Sequence, residues 1–292
     1  MLGTDLCDEL EAQYELYGID RVRGQGPRVR KFFDCDITDA KCVLEAVKEA
    51  GPDVVVHTAA MTDVDGCQAD KDKAYKINAE GTKNVALACK DSGAILIYIS
   101  TDYVFDGKGK TPYKESDNTS PLSAYGDSKL KGEEAVKAIF KKYFILRTSW
   151  LYGENGKNFV KTILAKAKTD KVLKVVSDQI GSPTYTVDLA KAIHKLLDKL
   201  SLQLKAYSLQ PYGIYHVSNS GGISWNEYAK KILELAGSST KVIPISSEEL
   251  NRPAVRPAMS VLDNSKFTGY TGYRLRGWEE ALKEYLEKRR TC

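Results

Sequence analysis

The chain has 292 residues, of which 42% are hydrophobic and 28% charged, an ordinary globular composition that excludes wholesale disorder and a collagen-like repeat. A chain of this length buries about three quarters of its unfolded surface and needs no disulfide or metal to fold; no apolar run approaches the ~18 residues of a membrane helix, and no secretory leader is visible. The 43 basic and 39 acidic residues leave a formal charge of +4, interspersed and mild, which argues against a nucleic-acid surface.

Residues 14–19 read as a strand ending at Asp20, and 29–33 as a second short strand. Helical spacing over 40–49 is stopped by Gly51-Pro52. The Val-rich run 53–57 suits a strand buried on both faces. A helix is predicted over 71–90, a buried strand over 94–100, a helix over 122–141 and a strand over 143–148. In the 122–141 helix the lysines alternate with Glu133 and Glu134, the pattern of a solvated face. Strand–helix alternation of this kind predicts a parallel sheet with helices on both faces.

Beyond Trp150 the pattern changes. Helices are predicted over 159–168 and 186–200, separated by a loop at 177–183. A turn-rich stretch over 203–213 precedes a strand at 213–217 and an amphipathic helix at 224–236, with Ser224 as its N-cap. The pairs Arg252-Pro253 and Arg256-Pro257 mark an extended segment, and 278–289 closes the chain as a helix. Residues 1–149 therefore read as a nucleotide-binding half. Residues 150–292 read as a smaller, mainly substrate-binding half, with some segments returning to the first sheet.

The six cysteines, Cys7, Cys35, Cys42, Cys67, Cys89 and Cys292, form no CxxC pair, and His57, His194 and His216 stand alone. No metal-ligand spacing is present. Free thiols and a reducing, cytoplasmic compartment are the expectation.

The sharpest local signal is Ser123-Ala124-Tyr125-Gly126-Asp127-Ser128-Lys129. Tyr125 and Lys129 lie one helical turn apart on one face. A phenol has a pKa near ~10; a neighbouring ammonium lowers it, and the tyrosine can then exchange a proton with a carbonyl. Upstream, a buried strand ends in Ser100-Thr101-Asp102-Tyr103, and polar groups at the carboxyl ends of parallel strands sit where doubly wound folds bind ligands. A hydroxyl there can bond the oxygen that Tyr125 protonates.

With these motifs the chain resembles the extended short-chain dehydrogenase/reductases, Thr101, Tyr125 and Lys129 matching the catalytic triad of that family. More narrowly it is similar to the dTDP-4-dehydrorhamnose reductases, through Ala59-Ala60-Met61-Thr62-Asp63-Val64-Asp65, Arg147-Thr148-Ser149-Trp150, Asp178-Gln179-Ile180-Gly181-Ser182-Pro183-Thr184 and the two Arg-Pro pairs. The resemblance implies a Rossmann-like doubly wound parallel sheet with a smaller C-terminal domain, NADPH or NADH as cofactor, and a dTDP-linked 4-keto-6-deoxy sugar as substrate. No metal ligand is assigned, and a homodimer is compatible with the resemblance.

In that resemblance Tyr125 is the proton donor, Lys129 holds the nicotinamide ribose, Thr101 orients the carbonyl, Asp102 contacts the sugar, and Trp150 is an apolar wall for it. Asn78 matches a position that distorts its helix and assists a proton relay. A related dehydratase would carry Asp-Glu after the threonine, where this chain has Asp102-Tyr103, so reduction is preferred to elimination of water. Two other readings remain open: a non-catalytic NADP-binding subunit like the regulatory subunit of methionine adenosyltransferase, and a nucleotide-sugar epimerase. Retention of Thr148-Ser149-Trp150 after Arg147 favours the reductase over the regulatory subunit.

The dinucleotide fingerprint is incomplete: Met1-Leu2-Gly3-Thr4 resembles only its tail, with Gly3 as the last glycine, and the first strand is missing from the sequence. Asp20 stands where the ribose-binding acid is expected, followed by Arg21 and Arg23, which suit a 2′-phosphate. Asp36-Ile37 resembles the adenine-contacting pair, and Ala59, Ala60 and Met61 the loop beneath the cofactor. Without the upstream strand, weak cofactor binding is expected.

Overall fold

In the computed structural model, which describes residues 1–22, 29–205 and 212–291, two parallel ladders carry the first half of the chain. One pairs Tyr17–Asp20 (β1) with Lys31–Asp34 (β2). The other holds Val54–His57 (β3), Ile95–Thr101 (β4), Tyr143–Thr148 (β5) and Gly213–His216, with β4 and β5 in the centre and every pairing parallel. The predicted α/β class is present, and Gly213–His216 pairs in parallel with β5.

All seven residues of β4 are buried, and alternation divides them between two cores. Ile95, Ile97 and Ile99 face Leu2, Leu6 and Leu10 of the helix Leu2–Leu10 (α1), together with Leu189, Ile193 and Leu196 of the helix Thr186–Lys205. Leu96 and Tyr98 face Val43 and Val47 of Ala40–Ala50 (α2), and beyond them Val85 and Val136. The Asp39 carboxylate caps α2 by accepting from the N–H groups of Lys41 and Cys42, and Gly51, at φ 56°, ends it in the left-handed region.

No described strand hydrogen-bonds to both β1 and β3, so the parallel sheet is divided there. The valines of β3 are accordingly only half-buried, in contrast to β4.

The helix predicted over 71–90 is three pieces. After the short helix Val64–Ala69 (α3) come Lys71–Tyr75 (α4), a π-helical segment over Lys76–Gly81, and Thr82–Ser92 (α5). The cause is Asn78, whose side chain is fully engaged outside its helix. Its Oδ1 accepts from the Met61 N–H at 2.8 Å, and its Nδ2 donates to Met61 O and Ser128 Oγ, both at 3.0 Å.

The helix Ala124–Ile139 (α6) is capped by the Ser123 hydroxyl, and Ser224 caps Trp225–Ala236 in a reciprocal box with Glu227, as predicted. The expectation of a solvated face on α6 fails for Glu133 and Lys129, which are buried. The second half has its own core around Val160, Leu173, Tyr228 and Leu282. It includes a parallel pair, Val172–Val176 with Lys241–Ile245.

Cys35 and Cys42 are joined as a disulfide, their Cα atoms 6.0 Å apart, because the Asp39 cap starts α2 directly after β2 and brings Cys42 back beside Cys35. The free-thiol expectation fails for this pair and describes Cys7, Cys67 and Cys89. Cys292, Arg23 and most of the turn-rich stretch before residue 212 lie outside the described residues. Among the described residues no helix is long and apolar enough to cross a membrane.

Candidate active site

The end of β4 and the start of α6 meet because both backbones permit it. Gly126 follows Tyr125 on α6, and a Cβ there would lie 2.2 Å from Tyr103 O. Gly132 is equally confined, with Tyr98 Oη at 2.5 Å and Asn78 O at 2.6 Å from an added Cβ. Two glycines thus set α6 directly on the turn after β4 and on the π segment.

At that seam the Thr101 hydroxyl accepts from the Tyr103 N–H at 3.2 Å and donates to Asp102 Oδ1 at 3.0 Å. Tyr125 stands beside the Thr101 side chain, and its ring meets that of Tyr103 edge-on at 5.6 Å. One turn along, Lys129 Nζ donates to Ile99 O at 2.7 Å and sits 4.2 Å from the Tyr98 ring centroid. Burial pulls Lys129 down to about 7, with Glu133 pulling the other way. The ammonium is directed at the strand, so the expected lowering of Tyr125 is not what governs that phenol here. Burial raises it, and the neighbouring Thr101 hydroxyl opposes.

Beneath Lys129 lies a group that sequence reasoning missed. Glu133 accepts from Arg147 Nε at 2.9 Å, from Arg147 Nη2 at 2.7 Å and from the Ser100 hydroxyl at 2.6 Å. Both charged side chains are buried.

Of the expected cofactor residues, Ile37 and Met61 lie against the π segment. Gly3 lies in the first turn of α1, and its nearest neighbour on an added Cβ is Thr58 Oγ1 at 3.4 Å, which sets that helix terminus beside Ala59 and Ala60. Asp20 ends β1 and accepts from the Arg21 N–H at 2.7 Å; the Arg21 guanidinium is 3.7 Å from Asp36 Oδ2. The Thr38 N–H and hydroxyl, each 2.9 Å from Asp36 Oδ1, hold the Asp36 carboxyl below the usual range, the backbone bond foremost. Ile37 packs on Gly81, where a Cβ would be 2.7 Å from Ile37 Cδ1, and Met61 is held by Asn78. His57 Nε2 lies 3.1 Å from Thr82 Oγ1; burial, with a contribution from Lys129, takes its pKa down to about 3.

A helix N-terminus with unpaired N–H groups, two carboxylates and an exposed guanidinium along one carboxyl edge fit a dinucleotide: amides and guanidinium for phosphate, carboxylates for ribose and adenine.

Trp150 stands apart from this cluster. Its indole stacks on Trp225, centroids 3.4 Å apart and planes within 4°. A Cβ at Gly181 would lie 2.4 Å from its ring. Its backbone φ is 47°, a strained value for a bulky residue and one that concentrates at functional sites. The loop bearing Gly181 continues toward the seam: Ile180 N donates to Ala258 O and Ser260 N to Ile180 O, both at 2.8 Å, and the Ser260 hydroxyl faces Asp102.

A second missed contact is Asp65 with Arg256, paired through two nitrogens at 3.1 and 2.9 Å, with the Ala254 N–H at 3.2 Å. Both residues lie in stretches singled out above, but only the fold shows that they meet.

A doubly wound parallel sheet with threonine at a strand end and a Tyr–Lys pair on the adjoining helix describes the short-chain dehydrogenase/reductase class. Within it the chain belongs to the family of the RmlD substrate binding domain, whose family model matches residues 1–291. It is 44% identical over 289 residues to the spore coat polysaccharide biosynthesis protein SpsK of Bacillus subtilis, covering 99% of this chain and 94% of that one. A solved dTDP-4-dehydrorhamnose reductase of Clostridium acetobutylicum superposes with a TM-score of 0.86 at 42% identity, over 99% of this chain and 96% of that one. The same enzyme of Bacillus anthracis, in complex with NADP, gives 0.83 at 39% identity, over 94% and 100%.

Proposed function

We propose that this chain reduces the C4 ketone of dTDP-4-dehydrorhamnose to give dTDP-L-rhamnose, using NADPH or NADH, in the cytoplasm. The observation that carries the reading is the placement of Thr101, at the carboxyl end of β4, beside Tyr125 on α6, with Lys129 one turn away. The reductase names of the Clostridium and Bacillus anthracis structures, the latter with NADP, support it.

Residues 1–149 form the cofactor half in this reading and 150–292 mainly the substrate half. Gly3 and the α1 amides face the pyrophosphate. Asp20 and Arg21 meet the adenosine ribose, Asp36 and Ile37 the adenine, and Ala59, Ala60 and Met61 line the floor. The reduced nicotinamide, when bound, supplies the hydride. Lys129 holds its ribose, Thr101 orients the ketone oxygen, Tyr125 gives that oxygen its proton, Asp102 contacts the sugar, and Trp150 is the flat surface for its C–H face.

The test is NADPH oxidation by the purified chain with dTDP-4-dehydrorhamnose, with the product identified by mass and NMR. Stoichiometric oxidation with dTDP-L-rhamnose formed supports the reading. Sugar turnover without net oxidation points to an epimerase, and cofactor binding without turnover to a regulatory subunit.

A further inference from the structure

Residues 252–260 form no helix, and no strand beyond a single bridge between Met259 and Ile180. Pro253 and Pro257 bring no backbone donor, and they bias Arg252 and Arg256 toward extended backbone. The position of this strap therefore depends on what it is tied to. One end is tied to the wall behind Trp150. Ala258 O accepts from the Ile180 N–H and the Ser260 N–H donates to Ile180 O, both at 2.8 Å, and the Met259 N–H donates to Gly107 O at 3.2 Å. Gly107, at φ 74°, admits that approach, since a Cβ there would lie 2.6 Å from Pro257 Cα. Ile180 adjoins Gly181, which packs on the Trp150 ring, and the Ser260 hydroxyl faces Asp102.

The other end is tied to a single side chain from far away in sequence. Asp65, in the first turn of α3, accepts from Arg256 Nη1 at 3.1 Å and from Arg256 Nη2 at 2.9 Å, one bond to each carboxylate oxygen. The Ala254 N–H adds a bond to Oδ1 at 3.2 Å, and Arg252 Nη1 stands 3.5 Å from Oδ2. Ala254 O, 2.9 Å from Arg256 Nη1, steadies the same fork. The two side chains are only 22% and 17% exposed, so solvent and salt screen them less than a surface pair, and the two parallel bonds fix direction as well as distance. Burial works against the Asp65 charge, but the bonds from Arg256 and Ala254 outweigh it and hold the carboxyl below its usual range. The pair is therefore ionised at neutral pH. Helix α3 is itself anchored, because Cys67 Sγ donates to Met61 O at 3.4 Å.

We propose that Asp65 and Arg256 form a clasp that positions the sugar: the pair fastens residues 252–260 to α3 and so fixes where the Trp150 wall stands relative to Thr101 and Tyr125. The proposal rests on the reductase reading, in which Trp150 and the seam both meet the deoxysugar. Both members are positioning residues, acting through the strap. With the clasp open, the strap loses its bonds to Asp65 and keeps those to Ile180 and Gly107. The sugar then loses a fixed seat, while Gly3, Asp20 and Asp36, which have no contact with the strap, still meet the dinucleotide.

The test measures sugar KM, kcat and NADPH Kd for Asp65→Asn, Arg256→Gln and the double variant. Each single variant should raise the KM for dTDP-4-dehydrorhamnose about tenfold, more than it lowers kcat, as a displaced substrate surface would. NADPH Kd should stay within about twofold, and the double variant should be no worse than the worse single one, because either change already opens the clasp. Arg256→Lys keeps the charge without the fork and should recover part of the loss. An unchanged sugar KM in both single variants overturns the clasp while the reductase reading stands. So does multiplication of the two effects in the double variant, an NADPH Kd that rises with the sugar KM, or a lysine variant as impaired as the glutamine one. Should Asp65→Asn not fold, as urea unfolding would show, Arg256→Gln against Arg256→Lys decides by the same criteria. A wild type that oxidises no NADPH with this sugar overturns the reductase reading and the clasp together.

Discussion

The seam between β4 and α6 and the edge formed by β1 and β2 handle charge in opposite ways. At the seam the Arg147–Glu133 pair is 2% and 0% exposed. At the edge, Arg21 and Asp36 are 65% and 40% exposed, and Arg30–Glu15 and Lys31–Glu49 are equally open. Charge at the seam is fixed by bidentate geometry and holds side chains in place. Charge at the edge is screened, contributes little to stability, and is free to change partners when an anion arrives.

Five measurements test this contrast. The largest expected effect is at the seam's reacting end: Tyr125→Phe should lower kcat by on the order of 10²–10⁴ while cofactor Kd stays unchanged. Near-normal turnover would remove Tyr125 as the acid.

Next is Glu133→Ala, which leaves Arg147 buried and unpaired. About 3–5 kcal/mol should be lost from the urea unfolding free energy, and a loss below 1 kcal/mol would show that the seam tolerates charge as the edge does.

The third measurement is stability against pH. His57 and His216 are both buried and lowered from 6.5 to about 3, burial being the first cause in each. Below about 6.5 the unfolded chain takes up protons that the folded chain refuses, so their contribution is lost as pH falls from 6.5 toward 3. Asp102 acts in the opposite direction: its folded value is raised, so the folded chain keeps a proton between 3.8 and about 7 and stability falls as pH rises through that window. Two histidines against one aspartate should leave the protein less stable at pH 4.5 than at pH 7. His57→Gln should flatten that slope and Asp102→Asn should steepen it, both read from urea midpoints.

Fourth, Trp150→Ala should raise substrate KM about tenfold, in line with the worth of an aromatic surface, with little change in cofactor KM. Equal effects on both, with a large drop in Tm, would make the Trp150–Trp225 stack mere packing.

The smallest effect belongs to the edge. Arg21→Ala should leave Tm within about a degree, since the exposed pair with Asp36 is worth about 0–1 kcal/mol. It should weaken NADPH binding several-fold and NADH binding hardly at all, as isothermal titration of both would show.

Much of this contrast was legible in the chain. The strand 143–148 is found at its predicted bounds, and the Tyr125–Lys129 spacing and the polar end of β4 identify the seam because period and position are local properties. What escaped depends on partners distant in sequence. Glu133 reads as a solvated charge among lysines until Arg147 and Ser100 close on it. The residues Lys76–Gly81 read as ordinary helix, since only Met61 and Ser128 draw Asn78 out of line. The pair Val172–Val176 and Lys241–Ile245 was missed because Lys174 and Pro244 interrupt the apolar signal and its outer positions are exposed.

The π segment also acts as a phase shifter between two helices. Each residue advances an α-helix by about 100°, so the extra residue accommodated near Asn78 sets the rotation of α5 relative to α4. A regular α-helix through the same residues would turn α5 by about that angle. Exposed Leu87 would swing toward the sheet, buried Ala86 and Cys89 would swing away, and Thr82 would leave His57. The loop bearing Met61 and the core beneath β4 are thus kept in register by a single inserted step.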